Sequence, residues 1–588
     1  MSEIDTAHRP RPGITQPLER RMSDPRIQLT KLNFESGLSV DLANSRVVVI
    51  VGPNNSGKSQ SLRDIPAFAI QGTAGVSIRS CELERIGSED DLRHWIEENW
   101  TRVGGSDSNP QLTHGLSTLH TSETLNCWRE DQALGPIARY FIASLSTMDR
   151  LRAANPVEAI DVVKGSLSKP IHALYLSGEL EEKVSEIFRV AFGEDLVLHR
   201  GGGKTWPLHV GTRPDGERFS VDYLRGVSDL PSLEDQGDGM RAFAGVLLSV
   251  VVGTPSAILI DEPEAFLHPP QATLLAASIA EHAPDTCQVI LATHSQDILK
   301  GLLDKHAADT TIIRLSVDNG VRGAMKLASD DVAALWGDTL LKYSNVLSGL
   351  FYETVVVCES ESDCKFYAAV LDAMEGEQSS RVLFLPAGGK NKIPKVVAAL
   401  STVGVDTRVV ADFDVLNMKE TVQEILEALG SSNDGLVDAA DSVDKAIRQK
   451  RPQLNASEFK DQVIKVVEAI EDKVSDDHLK HLRELSKKTS PWKEAKEVGV
   501  AAVPRGDQSR NCEKLLEDLS DAGLHVVPVG ELESFCRTIP GHGAAWATEA
   551  VRMDLANSAA LEPLRSFVKR VVEPRAPKIE SETEGIPA

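Results

Sequence analysis

The sequence predicts an α/β protein made of two parallel-sheet units, on three observations. The apolar runs Val47–Val51 and Ala257–Ile260, and Gln288–Ala292 after its first residue, have the composition of strands buried on both faces. Helical stretches separate them, the order that winds a parallel sheet. A second series of such runs starts at Thr354, and its strand ends carry carboxylates.

At 588 residues the chain is too long for one ordinary domain, and its 41% apolar and 26% charged residues are those of a globular protein. A net charge of -24 argues against indiscriminate coating of DNA, while leaving room for a local basic stripe. The seven cysteines show no Cys-x-x-Cys pair and no zinc spacing, so reduced thiols and a cytoplasmic location are expected. The leader, residues 1–26, is polar, lacks the apolar core of a signal peptide, and is expected to be disordered. The longest apolar run, around Phe243 to Gly253, is roughly half of what a bilayer span needs, so no membrane partner is expected.

In chain order, Ile27 to Leu42 alternates weakly, as an edge or antiparallel strand does. Val47–Val51 then feeds the loop Gly52-Pro53-Asn54-Asn55-Ser56-Gly57-Lys58-Ser59, with a helix expected from about Lys58. Residues from about 71 to 200 have a mixed texture and read as insertions on the first unit, which spans 27–316. A helical linker is expected over 317–352 and a second α/β unit over 353–540. That unit's strands are Thr354–Cys358, Val382–Leu385, Thr407–Ala411 and His525–Val529, with a charged helical insertion at about 418–489. Residues 541–588 read as a C-terminal helix and a disordered tail rich in Pro and Glu.

The loop at 52–59 has the form G-x-x-x-x-G-K-[ST] between a strand and a helix. Such glycines let backbone N–H groups wrap a β-phosphate at a helix N-terminus. Lys58 reaches the β/γ oxygens and Ser59 binds Mg²⁺. The strand Ile258-Leu259-Ile260 ends in Asp261 and Glu262. Asp261 is suited to hold Mg²⁺ through water, and Glu262 to orient or deprotonate the attacking water. His294, in Thr293-His294-Ser295 after another buried strand, is placed to sense a γ-phosphate; alone it would read as a loop histidine. Together these motifs resemble the ABC/SMC type of ATPase. That resemblance implies ATP as ligand and a signature loop acting across a dimer of heads. Gln236-Gly237-Asp238-Gly239-Met240-Arg241 is the candidate, with Gly237 and Gly239 as nucleotide contacts, although no serine precedes its glycines. No sustained heptads occur between residues 71 and 230, so the head is compact.

In the second unit Glu359 ends a buried strand and Asp363 lies one helical turn on. Asp412 and Asp414, spaced i, i+2, end another strand, and Glu531 and Glu533 follow a third. Ligands of α/β sheets bind at such carboxyl ends, and carboxylates gathered there can clamp two divalent ions on a phosphodiester. The acids, with the turn Pro386-Ala387-Gly388-Gly389-Lys390-Asn391-Lys392, resemble a Toprim domain. Ser360 departs from that family's usual Glu-Gly and would be strained if its φ were positive.

An ATPase followed by a Toprim domain, over about residues 28–540, resembles the OLD (overcoming lysogenization defect) family of ATP-dependent nucleases. That implies metal ligands Glu359, Asp363, Asp412, Asp414 and Glu533, with Mg²⁺ or Mn²⁺ and a DNA substrate (RNA being an alternative). It also implies a homodimer or larger homo-oligomer and a role in antiphage defence or DNA processing, with a possible defence partner. The competing reading is a nucleotide-dependent sensor with an inert Toprim domain. For phosphate contacts, Lys390, Lys392 and Lys395 lie near the acids and Arg505 is a further candidate. The cluster Lys487-Lys488-Pro491-Trp492-Lys493-Lys496 reads first as a solvated helix face.

Overall fold

The computed structural model describes residues 24–106, 109–114, 117–129, 133–162, 168–252, 255–306, 309–318, 321–338, 345–431, 433–450, 456–470, 473–487, 490–539 and 543–573. The expected leader up to residue 23 and the tail from 574 fall outside them. The chain divides into two compact units, Met1–Asp338 and Thr339–Ala588.

The first unit is built on a six-stranded sheet in the order Val321–Lys326, Thr310–Asp318, Val47–Val51, Gln288–Ala292, Ala257–Asp261, Ile142–Leu145. Its strands are parallel except for the edge hairpin. Val47–Val51 and Gln288–Ala292 are buried at every position, which is why they carry apolar side chains on both faces. Gln288 is the exception: its amide donates to the carbonyls of Leu29 (3.2 Å) and Ser45 (2.9 Å) and accepts from the Leu29 amide (3.1 Å). It thereby ties the parallel sheet to a three-stranded antiparallel sheet of Ser39–Asp41, Arg26–Phe34 and Ile78–Ile86.

Two expectations change here. The stretch 71–200 is more than insertion, because Ile142–Leu145 is the far strand of the main sheet, beside Ala257–Ile260. Residues 317–352 are not simply a helical linker. They open with Val321–Lys326, which pairs antiparallel with Thr310–Asp318 before the helix Ser329–Gly337 begins.

The second unit holds a four-stranded parallel sheet, Val382–Pro386, Thr354–Cys358, Asp406–Ala411 and Leu524–Val526. The last strand is shorter than expected. Pro528 cannot donate to a ladder, and the chain leaves the sheet into the turn closed by Gly530 N–H donating to Val527 O (3.2 Å). Before this strand comes a helical excursion of Lys419–Ala428, Asp434–Arg448, Ala456–Glu468, Asp476–Lys487 and Pro491–Val498, which runs past the expected limit of 489. The helix Glu562–Val572 is held by Arg408, whose buried guanidinium donates to the carbonyls of Val571 (2.5 Å) and Glu573 (2.6 Å). Among the described residues no helix is long and apolar enough to cross a membrane.

Candidate nucleotide and carboxylate sites

In the first unit, the loop after Val47–Val51 has the backbone that a phosphate cradle needs. Gly52 and Gly57 take φ of 147° and 100°, and Asn55 a left-handed 62°. A Cβ on Gly52 would stand 2.3 Å from the Leu315 carbonyl oxygen, so only glycine fits there. Pro53 is buried and Asn54 exposed. The helix Lys58–Gln71 starts at Gly57, directing its first amides at the loop. Lys58 Nζ donates to the carbonyls of Gly52 and Pro53, both at 2.8 Å. Burial pulls its pKa down, against the opposing pull of Glu262, Glu264 and Asp261. Ser56 is buried, and its hydroxyl has no hydrogen-bond partner among the described residues.

The strand Gln288–Ala292 lies between the loop strand and the strand that ends in Asp261. Even so, Ser59 Oγ reaches across it to donate to Asp261 Oδ1 at 3.0 Å. The two expected Mg²⁺ contacts of this site are thus neighbours. Burial raises the Asp261 pKa, and the Ser59 hydrogen bond partly offsets it. Glu262 sits at φ 48° with its N–H on Ala292 O (2.9 Å), which turns its side chain out of the strand. His294 Nδ1 lies 3.5 Å from Glu262 Oε1 and 3.3 Å from Glu264 Oε1.

Two residues at this edge were missed in the sequence. Glu264 accepts from Thr293 Oγ1 (2.8 Å) and from the His294 amide (3.0 Å). Arg150, fully buried, donates to the Asp261 carbonyl and to Thr147 Oγ1 (3.3 Å). No motif marks Arg150, whose only sequence signal is the Ser146–Asp149 capping box that starts its helix. The signature candidate opens the helix Asp238–Val251, with exposed Gly237 as its N-cap. A Cβ on Gly239 would approach the Phe266 carbonyl oxygen to 2.8 Å, so this glycine allows close packing within its own unit.

In the second unit the expected acids come to the carboxyl ends of Thr354–Cys358, Asp406–Ala411 and Leu524–Val526, interleaved with two lysines. Lys390 pairs with Asp414 and lies 3.8 Å from Glu359 Oε2. Lys496 lies 3.2 Å from Asp412 Oδ2 and 3.8 Å from Glu531 Oε2. Gly388 and Gly389, at φ 75° and 120°, turn both their amides onto the Glu359 carbonyl (3.2 and 3.0 Å), which accounts for the glycine turn. Ser360 has φ -126°, an extended backbone without strain. It caps the helix Glu361–Glu375 by accepting from the Asp363 amide (3.3 Å), while the Asp363 carboxylate accepts from the Ser360 amide (2.9 Å). Glu533 Oε1 accepts from the Gly543 amide at 2.7 Å.

Burial raises the pKa values of Glu359 and Asp363 and pushes that of Asp412 up to about 7, with Lys496 pulling the other way. Burial works against the Lys496 ammonium too, yet Asp412 and Asp414 hold it above its ordinary value. Among the described residues no group of three or more His, Cys, Asp or Glu is placed to hold a metal ion, and Lys390 and Lys496 stand among the acids. The donor chemistry still suits a hard divalent cation. The donors are carboxylate oxygens, and Glu359 Oε2 is buried with no hydrogen-bond partner among the described residues.

The basic residues separate into two kinds. Lys496 belongs to the acid cluster, not to a solvated face, and Trp492 is buried, its Nε1 donating to Asp444 Oδ1 at 2.6 Å. Lys392, Lys395 and Arg505 are exposed. Lys488 falls outside the described residues.

Residues 130–300 match the family described as AAA domain, putative AbiEii toxin, Type IV TA system. The Old nuclease of Escherichia phage P2 is 28% identical over 168 residues, which are 27% of this chain and 28% of the phage protein. Among solved structures, an SMC head bound to the C-winged helix domain of ScpA is 16% identical (TM-score 0.32), with 52% of this chain and 98% of that one covered. The SMC head domain from Thermotoga maritima is 13% identical (TM-score 0.27), covering 52% and 99%.

Proposed function

Taking the chain as an OLD-family ATPase, we propose that it is an ATP-regulated nuclease whose second unit hydrolyses phosphodiesters of DNA at a Toprim-like carboxylate site. The observation that carries this reading is the gathering of acids from distant segments, Glu359, Asp363, Asp412, Asp414 and Glu533, at one end of a parallel sheet. Mg²⁺ or Mn²⁺ bound there would supply charge neutralisation and an activated water. Glu359, Asp412 and Asp414 would hold it, Asp363 and Glu533 completing the set. Lys390 and Lys496 would hold the acids' charge together and meet substrate phosphate.

In the first unit ATP with Mg²⁺ would lie along Gly52–Ser59. Ser59 and Asp261 would share the ion, Glu262 would orient the water and His294 would face the terminal phosphate. Gly237 and Gly239 would meet the nucleotide of a second copy, making the working form a homodimer or larger assembly. Antiphage defence or DNA processing, in the cytoplasm and with or without a partner protein, is the proposed setting.

The lysine pairing of the acids favours a second reading, a nucleotide-dependent sensor whose carboxylate site is inert. Plasmid cleavage in Mg²⁺ or Mn²⁺, with and without ATP, separates the two. Cleavage lost in Asp412→Ala supports the nuclease, and Lys58→Ala shows which way ATP controls it. ATP hydrolysis with no cleavage of DNA or RNA under any condition would sink the nuclease and leave the sensor.

A further inference from the structure

We infer that Glu264 is a positioning residue for ATP hydrolysis, holding the Thr293–Ser295 turn and the His294 ring at the edge of the nucleotide site. The inference rests on the reading of His294 as the terminal-phosphate contact and is independent of the nuclease.

Glu264 lies beyond the strand Ala257–Asp261, where solvent is the ordinary surrounding of a glutamate. The left-handed Glu262 (φ 48°) and the bond from the Ala265 amide to Glu262 O (3.0 Å) fold the chain back instead. The Glu264 side chain, only 11% exposed, is thereby brought to the end of the neighbouring strand Gln288–Ala292. There Oε1 accepts from Thr293 Oγ1 (2.8 Å) and from the His294 amide (3.0 Å), with His294 Nδ1 at 3.3 Å. Thr293 Oγ1 accepts in turn from the Ser295 amide (2.9 Å), so one carboxylate oxygen organises three consecutive residues.

The other oxygen, Oε2, is buried with no hydrogen-bond partner among the described residues. A carboxylate kept for stability alone would be expected to satisfy both oxygens. Here both hydrogen bonds fall on Oε1, the oxygen that holds the turn, while Lys58 and Arg150 feel the charge of the carboxylate. The ring it meets is half exposed, at 50%, and faces the two carboxylates through Nδ1. Nε2, on the other side of the imidazole, is left to meet a phosphate oxygen. Without Glu264 the His294 ring and main chain would lose their shared anchor, and hydrolysis would slow while nucleotide binding at the Gly52–Ser59 loop persisted.

The test is steady-state ATP hydrolysis by the full chain for Glu264→Ala, Glu264→Gln, His294→Ala and the double variant Glu264→Ala/His294→Ala, with thermal unfolding as a folding control. Glu264→Ala should lower kcat about tenfold and leave KM for ATP within about twofold. Glu264→Gln, whose Oε1 can still accept from Thr293 and His294, should recover most of the rate. The double variant should be no slower than His294→Ala alone. Losses that multiply in the double variant, or a Gln variant as slow as the Ala variant, would overturn the inference. A His294→Ala variant with full activity would remove the His294 reading and the inference with it. Should Glu264→Ala not fold, Thr293→Val removes one donor and is read against His294→Ala in the same way.

Discussion

At the edge of the first sheet a lysine, Lys58, is turned onto the carbonyls of its own loop, while opposite it Asp261 is held at its carboxylate by a hydroxyl, Ser59, and at its main-chain carbonyl by the buried Arg150. At the edge of the second sheet Lys390 and Lys496 lie among the acids themselves. The first site is fixed by backbone, since its glycines occupy conformations and spaces closed to other residues. The second is fixed by side chains whose charges must balance. A phosphate cradle is thus set by main-chain conformation, whereas the carboxylate cluster is set by the balance of charge among its side chains.

The largest effect should come from the backbone-built site. Lys58→Ala should reduce ATP hydrolysis by about a hundredfold or more. Gly52→Ala should come close to it, because the added Cβ meets the Leu315 carbonyl oxygen at 2.3 Å and Gly52 has φ 147°. ATPase rates and nucleotide affinity measured side by side check both. A Gly52→Ala protein with normal turnover would break the contrast at its root.

Next in size is the packing that delivers Lys496. Its helix, Pro491–Val498, ends against the Pro528–Gly530 turn. A Cβ on Gly530 (φ 114°) would stand 2.1 Å from the Lys496 carbonyl oxygen, and one on Gly499 (φ 59°) would stand 2.0 Å from that of Pro528. Either glycine changed to alanine should cost about 2–4 kcal/mol of stability in denaturant titration, since no flexible side chain can yield. First-unit substitutions should leave this transition unchanged.

A smaller effect tests the charge balance. The Asp412 carboxyl is pushed up to about 7 from an unfolded value near 3.8. The folded state thus binds the proton more tightly, and its ionisation costs stability. The cost is absent below the unfolded pKa, grows as pH rises between the two values, and is complete above about pH 7. Asp412→Asn, which mimics the protonated acid in part, should therefore stabilise the protein at pH 8 by about 1–2 kcal/mol and change little at pH 4. Added Mn²⁺ should raise the melting temperature of the wild type more than that of the variant. Equal shifts, or a destabilised variant at pH 8, would mean that the lysines already neutralise the acids fully.

What the sequence revealed follows the same contrast. Val47–Val51, the loop to Ser59 and the Asp261–Glu262 pair were legible because a phosphate cradle demands fixed residue types at fixed spacing. The acids Glu359, Asp412 and Asp414 were legible because each stands at the end of an apolar strand. Arg150, Glu264 and the true place of Lys496 were hidden, since each acts across a long sequence gap: Arg150 meets Asp261, Glu264 meets His294, and Lys496 meets Asp412. Ile142–Leu145 was hidden for a different reason, being a short edge strand with only its two end residues buried.

The smallest effect concerns Ser360, where the Toprim resemblance breaks. A glycine there would matter if the backbone turned left-handed, but φ is -126° and the side chain caps the following helix. Ser360→Ala should cost about 1 kcal/mol through the lost cap, and Ser360→Gly only a few tenths. Asp363, the other half of the capping box, keeps its bond from the residue 360 amide in both. Any activity of the carboxylate site should then survive Ser360→Gly nearly intact, because the substitution reaches the acids only through Asp363. A large gain on introducing the glycine would show instead that the serine itself restrains the site, and that its edge is set by backbone after all, as the edge of the first sheet is.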